Sequence, residues 1–476
     1  MERLVNLPEP KAVFGIFSEY AKIPHGSGNT AGATAFCVDF AKKHGLSCET
    51  DGAGNVIIRK DGSKGFTSHP TLILQGHLDM VCEKTADKVI DFEKDGLELF
   101  SDGDFIFADR TTLGGDDGIA VAMILALLSD ETLSHPPLEA VFTTDEETGM
   151  DGARALDCSR LKGKTLINLD SEDENTLWVS CAGGARANIE IPVERTESKF
   201  KNAYCVKLSG LCGGHSGTEI DKGRINAVKA LSKILSALNK TELCEFSGGL
   251  MDNAIPREAS AVIRADEKDE IEAQLDLFSK ELKASSKDDT ALTLTIEPAE
   301  CSALPLTDEC KDNVLGFIND SQNGVIAMSQ SIKGLVETSL NLGIMKLEET
   351  KLLVSFSLRS SKNSAKEALC NSLCACTVRH GGSFSLHGEY PAWEYNEVSR
   401  VRDVISKEYE ALRNEKCEVR AIHAGLECGI FYDKIPGLDC VSFGPNIYDI
   451  HTPDERLSVS SVQRVYELLK KVLGKL

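Results

Sequence analysis

Several histidines and acidic residues fall where apolar runs of the sequence end. His77 and Asp79 follow Leu72-Ile73-Leu74, Glu146 and Glu147 follow Leu138–Thr143, and Asp170 closes Thr165–Leu169. Asp116 stands in Thr111-Thr112-Leu113-Gly114-Gly115-Asp116-Asp117-Gly118, just ahead of another apolar run. Each has an ordinary explanation. His77 reads as a satisfied buried histidine, Asp79 as a turn former, and Asp116-Asp117 as a helix cap. Glu146-Glu147 and the run Asp170-Ser171-Glu172-Asp173-Glu174 read as solvated loops. Together they form a mixed nitrogen and oxygen donor set of the kind that zinc or manganese accepts. One catalytic zinc uses about three protein ligands, whereas a larger set suits two metals roughly 3.5–4 Å apart that share a carboxylate and a water. Such a pair acidifies the water and polarises a carbonyl. Glu146 beside Glu147 then divides the labour, one residue binding metal and the other handling the proton.

These residues need elements that bring them together. The runs ending at His77, Asp145 and Asp170 show little polar alternation and read as strands buried on both faces. Ligands of open α/β sheets gather at the carboxyl ends of such strands, so three ends bearing His, Asp or Glu predict one crevice. Gly118–Leu128 has the length and Ala/Leu content of a buried helix. From about Ala187 the pattern changes. Tyr204–Leu208 and Leu292–Ile296 alternate like half-exposed strands, with helices expected over Arg224–Leu238 and Lys268–Ser285. A similar rhythm recurs from Val325 to Phe384. The pattern of the first 185 residues returns after Tyr390, with a short run at Cys440–Phe443 and an amphipathic helix from Ser460. The expected fold is α/β: a catalytic domain of residues 1–185 and 391–476, with a mixed, mostly parallel sheet covered by helices. An α+β domain of residues 186–390, with two related halves suggested by the rhythm, interrupts it.

Bulk properties narrow the class. The 476 residues imply more than one domain. A formal charge of −22 argues against nucleic-acid and anionic-membrane partners. The longest apolar stretch, Gly118–Leu128, is far short of the roughly 20 residues of a spanning helix. Met1–Tyr20 lacks the basic start and apolar core of a secretory signal, so a cytoplasmic location is expected. The 16 cysteines include no Cys-x-x-Cys pair, and free thiols, mostly packed, are expected, the Cys370, Cys374 and Cys376 group included.

Certain stretches, taken in order, carry a resemblance. They are Leu74–Val81, Thr111–Gly118, Thr144-Asp145-Glu146-Glu147-Thr148-Gly149, Asn168–Glu172, Gly213-Gly214-His215-Ser216-Gly217 and His423-Ala424-Gly425-Leu426-Glu427-Cys428-Gly429. Across essentially its whole length the chain resembles the aminoacyl-histidine dipeptidases, or cytosol non-specific dipeptidases. These sit within a wider group of co-catalytic metallopeptidases that includes carnosinases, tripeptidases, aminoacylases and glutamate carboxypeptidases. The resemblance implies that His77 and Asp170 hold one divalent ion and Glu147 and His451 the other, with Asp116 bridging. Zinc is the expected metal, manganese or cobalt being alternatives with the same ligands. It also implies a cis peptide bond at Asp116–Asp117, a general base at Glu146, and Asp79 orienting the imidazole of His77. Asp117 departs from the Asn common at its place in relatives.

In the second domain, the resemblance implies that His215 stabilises the oxyanion and Arg359 binds the substrate's free carboxylate. Asn253 and Gly425 would support substrate binding. Glu427 reads equally as a recognition group for a free amino terminus and as a buried structural glutamate. A lid of this kind implies a homodimer in which a second chain lends His215, or a two-halved lid that supplies it within one chain. The expected substrates are dipeptides of broad specificity, Xaa-His among them. The alternatives are an amidohydrolase acting on N-acyl amino acids and a catalytically silent metal-binding protein.

Overall fold

A computed structural model describes residues 2–476. The chain divides into two compact units. Among the described residues, the first comprises residues 2–180, 395–421 and 426–476, and the second residues 181–394 and 422–425.

The first unit is built on an eight-stranded sheet. Its order runs Ser47–Thr50, Val56–Lys60, Leu138–Thr143, Leu72–His77, Thr165–Asn168, Asp439–Ser442, Thr176–Cys181, Glu418–Ile422. The central four strands are parallel, and antiparallel pairings flank them. Both Leu72–His77 and Leu138–Thr143 are buried at every position, which explains their mostly apolar character without regular polar alternation. The helix Gly115–Ser129 is buried along nearly all its length and packs on the Leu72–His77 strand and on the helix Lys11–Tyr20. A helix apolar on all sides needs such enclosure. The helix Val459–Leu473 instead buries one stripe, including Val462, Val465, Leu469 and Val472. A smaller five-stranded sheet contains the hairpin of Ile447–Tyr448 and Arg456–Ser458, whose loop carries His451.

The second unit holds an antiparallel sheet with helices against its buried face. Gly183–Pro192 alternates between buried and exposed residues along its length. Two β-α-β-β-α-β modules make up this sheet, and one is nested inside the other. The inner module contributes Ala203–Ser209, the helix Ala227–Ala237, Glu242–Gly248, Ala259–Arg264, the helix Lys268–Ser285 and Thr293–Pro298. The outer one begins with Gly183–Pro192 and resumes with the helix Asp308–Asp320, Val336–Leu347, Lys351–Ser360, the helix Asn363–Arg379 and Ser383–Tyr390. Each module has the spatial order fourth, first, third, second strand from its outer edge inward. The second strands meet through Ser247–Lys346 and Gly248–Met345.

The helix expected at Arg224 begins at Ala227, because the Asn226 side chain accepts hydrogen bonds from the N–H groups of Val228 (3.1 Å) and Lys229 (3.2 Å). All the cysteines are free thiols; Cys370 and Cys376 are buried in the core of this unit, and Cys212 is exposed. Among the described residues no helix is long and apolar enough to cross a membrane.

Candidate metal centre

Parallel neighbours bring the carboxyl ends of the strands Leu72–His77, Leu138–Thr143 and Thr165–Asn168 to one edge of the sheet. His77 is the last residue of the first strand, and the other two run on into Glu146-Glu147 and Asp170. Asp116 enters the same region from the start of the buried helix. Its backbone is extended rather than helical (φ −81°, ψ 103°), and its bond to Asp117 is cis. The chain reaches it through Gly114, whose φ of 66° suits glycine. Asp117 turns inward: its Oδ2 accepts the N–H of His77 at 3.0 Å, against Gly76, where a side chain would collide with that oxygen.

The two oxygens of Asp116 face different partners. Oδ1 lies 3.0 Å from Nε2 of His77, which is also 3.6 Å from Oδ1 of Asp170. Oδ2 lies 3.3 Å from Nε2 of His451, which is 3.1 Å from Oε1 of Glu147. Two three-residue groups result, His77/Asp116/Asp170 and Asp116/Glu147/His451, each with ligand atoms within 4.8 Å of one another. A third compact group joins His77 to Glu146 and Glu147.

Asp79 braces this arrangement from behind. Nδ1 of His77 is 3.0 Å from the Asp79 carbonyl and 3.5 Å from its Oδ1. With acceptors on that side, the ring proton belongs on Nδ1, and the Nε2 lone pair is left for a cation. The Asp79 carboxylate also accepts the N–H groups of Glu146 (3.0 Å) and Glu147 (3.3 Å) and the hydroxyl of Ser27 (2.7 Å). Burial raises its pKa, and His77 first, then the Ser27 and Glu146 bonds, bring it down to about 2.

Without a cation, the site carries too much negative charge for its burial. Burial pushes Glu146 well above the usual carboxylate range, aided by the charges of Asp170, Glu427 and Glu147. Burial raises Asp170 to about 6 despite the pull of His77. Burial would lower His77, yet Asp170 and hydrogen bonds to Asp116 and Asp79 carry it well above the ordinary histidine value. Imidazoles and crowded carboxylates converging in two groups on one shared aspartate fit a pair of divalent ions.

The comparisons with known proteins agree with this chemistry. The model of peptidase family M20/M25/M40 matches residues 73–475. The chain belongs to this family. It is 36% identical over 472 residues to the cytosol non-specific dipeptidase of Escherichia coli K12, covering 98% of this chain and 97% of that one. It superposes with a TM-score of 0.94 on the aminoacylhistidine dipeptidase of Vibrio alginolyticus, at 33% identity over 98% and 97% of the two chains. Aminopeptidase PepT of Bacillus cereus, at 16% identity and a TM-score of 0.57 over 98% of both chains, shares the fold.

This peptidase also has further buried acids around the centre, of which sequence patterns did not mark Glu455 at all. The Glu455 carboxylate, 3% exposed, accepts backbone N–H groups from Leu113 to Asp116. Burial, then the charges of Asp116 and Asp170, pushes Glu172 up to about 8. Glu427 is fully buried. Its Oε2 accepts from Gln75 (2.5 Å) and Thr143 (2.7 Å), and Asn168 donates to the Gln75 carbonyl at 2.6 Å. This network laces together the three strands whose ends carry candidate ligand residues. Spacing offered no sign of these contacts, because Gln75 and Glu427 are 352 residues apart.

The second unit of the peptidase contains His215, Asn253, Arg359 and Gly425. His215 lies in a short strand opposite Ala254, and the Asn253 carbonyl accepts the N–H of Ser216 at 2.8 Å. Nδ1 of His215 accepts the N–H groups of Gly217 (3.3 Å) and Thr218 (3.1 Å), so the ring proton sits on Nε2. Burial and then the charge of Arg359 lower its pKa, which favours a neutral ring with one N–H donor. Arg359 donates to the Tyr390 hydroxyl at 3.1 Å, while its buried Nε has no hydrogen-bond partner among the described residues. Gly425 lies where a Cβ would be 2.8 Å from the Tyr390 ring, so glycine there makes room for the ring that steadies Arg359. His423, unassigned by sequence, donates to or accepts from the Ser339 hydroxyl at 2.7 Å and is pushed down to about 3 by burial and Arg359.

Proposed function

We propose that this chain is a dinuclear-metal dipeptidase of broad side-chain specificity, Xaa-His dipeptides among its substrates. The observation that carries the reading is Asp116, whose two oxygens face two separate ligand groups. His77 and Asp170 hold one cation, Glu147 and His451 the other, and Asp116 both. Zinc suits the mixed imidazole and carboxylate donors, and manganese and cobalt accept the same set. When bound, the cations supply Lewis-acid polarisation of a carbonyl and a more acidic water. The names of the Escherichia coli and Vibrio relatives support dipeptides as the substrate class. Free thiols throughout and the cytosolic name of the first relative support a cytoplasmic location.

Glu146 is the general base. Its carboxylate takes a proton from the attacking water as the new C–O bond forms, then passes it to the departing amine nitrogen as the C–N bond breaks. The high affinity for a proton that burial gives this carboxylate suits both steps. Asp79 fixes the base through its backbone N–H. His215 offers its Nε2–H to the developing oxyanion, and Arg359 receives the substrate's free carboxylate. Asn253 and Gly425 support these two groups through the Ser216 backbone and the Tyr390 ring.

The deciding experiment is Glu146→Gln. We expect kcat for Ala-His to fall about a thousandfold with metal content near that of the unaltered chain, since the change removes a proton acceptor and spares the ligands. Near-normal turnover would remove Glu146 from this role. A panel of Ala-His, Gly-Gly, β-Ala-His and N-acetyl amino acids tests the substrate class, and preference for the acetylated compounds would replace it with an amidohydrolase.

A further inference from the structure

His451 is an unusual ligand candidate because little of its own surroundings fixes it. Its side chain is 45% exposed, and its Nε2 meets Glu147 and Asp116, the groups with which it would share a cation. It occupies the loop of the hairpin Ile447–Tyr448/Arg456–Ser458. Both His451 (φ 60°) and Asp449 (φ 53°) adopt left-handed backbone conformations that non-glycine residues seldom take. Such conformations persist where the surroundings impose them. Inside the loop, the Thr452 hydroxyl donates to the Asp449 carbonyl at 2.7 Å and accepts the N–H of Asp454 at 3.2 Å.

The far end of the loop is anchored differently. Glu455, four residues after His451, is buried, and its side chain reaches the segment that carries Asp116. Its Oε2 accepts the N–H groups of Leu113 (2.7 Å) and Gly114 (3.3 Å). Its Oε1 accepts that of Gly115 (2.9 Å) and lies 3.5 Å from that of Asp116. One carboxylate thus collects the successive N–H groups leading into the bridging residue.

We propose that Glu455 is a positioning residue for the dinuclear centre, a clamp that sets the distance between His451 and Asp116. The inference rests on the two-cation reading above and goes beyond it, because it makes the two cation sites unequal. Of the other pair, His77 ends one strand and Asp170 follows closely on its parallel neighbour, so that site needs no clamp. The Glu147/His451 site depends on a hairpin loop that Glu455 ties down.

Glu455→Gln tests this at constant size. The amide nitrogen turns a donor toward backbone donors, so at least one pair of N–H groups loses its acceptor. The readout is stepwise Zn2+ binding to the metal-free chain, measured by competition with a chromophoric chelator, with cooperative thermal unfolding in chelator as the check of folding. We expect one binding step to weaken by about tenfold or more, as loss of outer-shell support does, while the other changes by less than about threefold. His451→Ala should weaken the same step, and the double variant should be little worse than His451→Ala alone. Equal weakening of both steps, or additive losses in the double variant, would overturn the clamp.

Should Glu455→Gln fail to fold, Gly115→Ala addresses the same contact, since its Cβ would stand 3.2 Å from Oε1 of Glu455. A weakening of the same step supports the clamp, and unchanged binding overturns it. If the unaltered chain takes up fewer than about two Zn2+ ions, the two-cation reading fails and the clamp falls with it. If it takes up two and the variants bind as it does, the clamp alone fails.

Discussion

The two units carry polar clusters of opposite kind. The first gathers acceptors: Asp116, Asp117, Glu146, Glu147 and Asp170 crowd the ends of buried strands, and several are pushed toward protonation by burial. The second gathers donors: the Nε2–H of His215 and the guanidinium of Arg359. A crowd of carboxylates out of water is unstable until cations join it. An N–H cluster with an unpartnered guanidinium nitrogen instead calls for an oxygen acceptor. The contrast teaches that the two units suit different partners, the first cations and the second oxygen acceptors, as the proposed function requires. Variants should separate along the same line.

The largest effect is expected at Asp116→Asn. Both ligand groups use this residue, so both cations should be lost together and activity should fall by roughly a thousandfold or more. Mass-spectrometric metal analysis after reconstitution and desalting checks it. Retention of one full equivalent would mean that Asp116 belongs to a single group. His215→Ala should act on the other side of the contrast. Here kcat should drop about a hundredfold, as for loss of one oxyanion donor, with metal content unchanged. A change in KM alone, or loss of metal, would merge the two clusters into one function.

The same contrast explains what was legible in the sequence. His77, Asp116, Glu147 and Asp170 each lie within a few residues of a mostly apolar run, so the pattern that marks the element also marks the end where the candidate ligands sit. His451 has no such marker. It lies in a loop between strands of two and three residues, and only family resemblance pointed to it. Glu455 was invisible, and the partners of Glu427 were too, for another reason: Leu113 and Gln75, which these two acids bind, lie more than 300 residues away, beyond any local periodicity. In the second unit the strands and the helix Lys268–Ser285 were readable from their alternation and spacing. The nesting was not, because Gly183–Pro192 pairs with Lys351–Ser360 across the whole inner module. Periodicity reports faces of elements and is silent about which distant element covers them.

A smaller effect should follow from Arg359→Lys. The charge is kept and the planar fork is lost, so KM for Ala-His should rise about tenfold with kcat little changed, equivalent to one weakened charged hydrogen bond. The corresponding dipeptide amide, which lacks the free carboxylate, should be affected hardly at all. Equal losses on the acid and the amide would place Arg359 in a structural role beside Tyr390 and blur the donor character assigned to its unit.

The smallest effect, and the most specific to the acceptor side, is a proton. Hydrogen bonds to Asp116 and Glu147 raise His451 from the ordinary 6.5 to about 10, against the opposing effect of burial. In the metal-free chain this imidazole is therefore protonated at neutral pH. Its ion pairing supports the folded state fully below about pH 6.5 and is lost as the pH rises through about 10. A divalent ion needs the same Nε2 as a lone pair, so it must expel the proton. Across this window the apparent metal affinity should increase with pH, by no more than about tenfold per unit from this group. Calorimetric titration near pH 7.5 in buffers of different ionisation enthalpy counts the protons released, and His451→Ala should release close to one fewer than the unaltered chain. An identical count would show that the proton is not held where the carboxylates of the first unit place it, and that His451 stands outside the acceptor cluster.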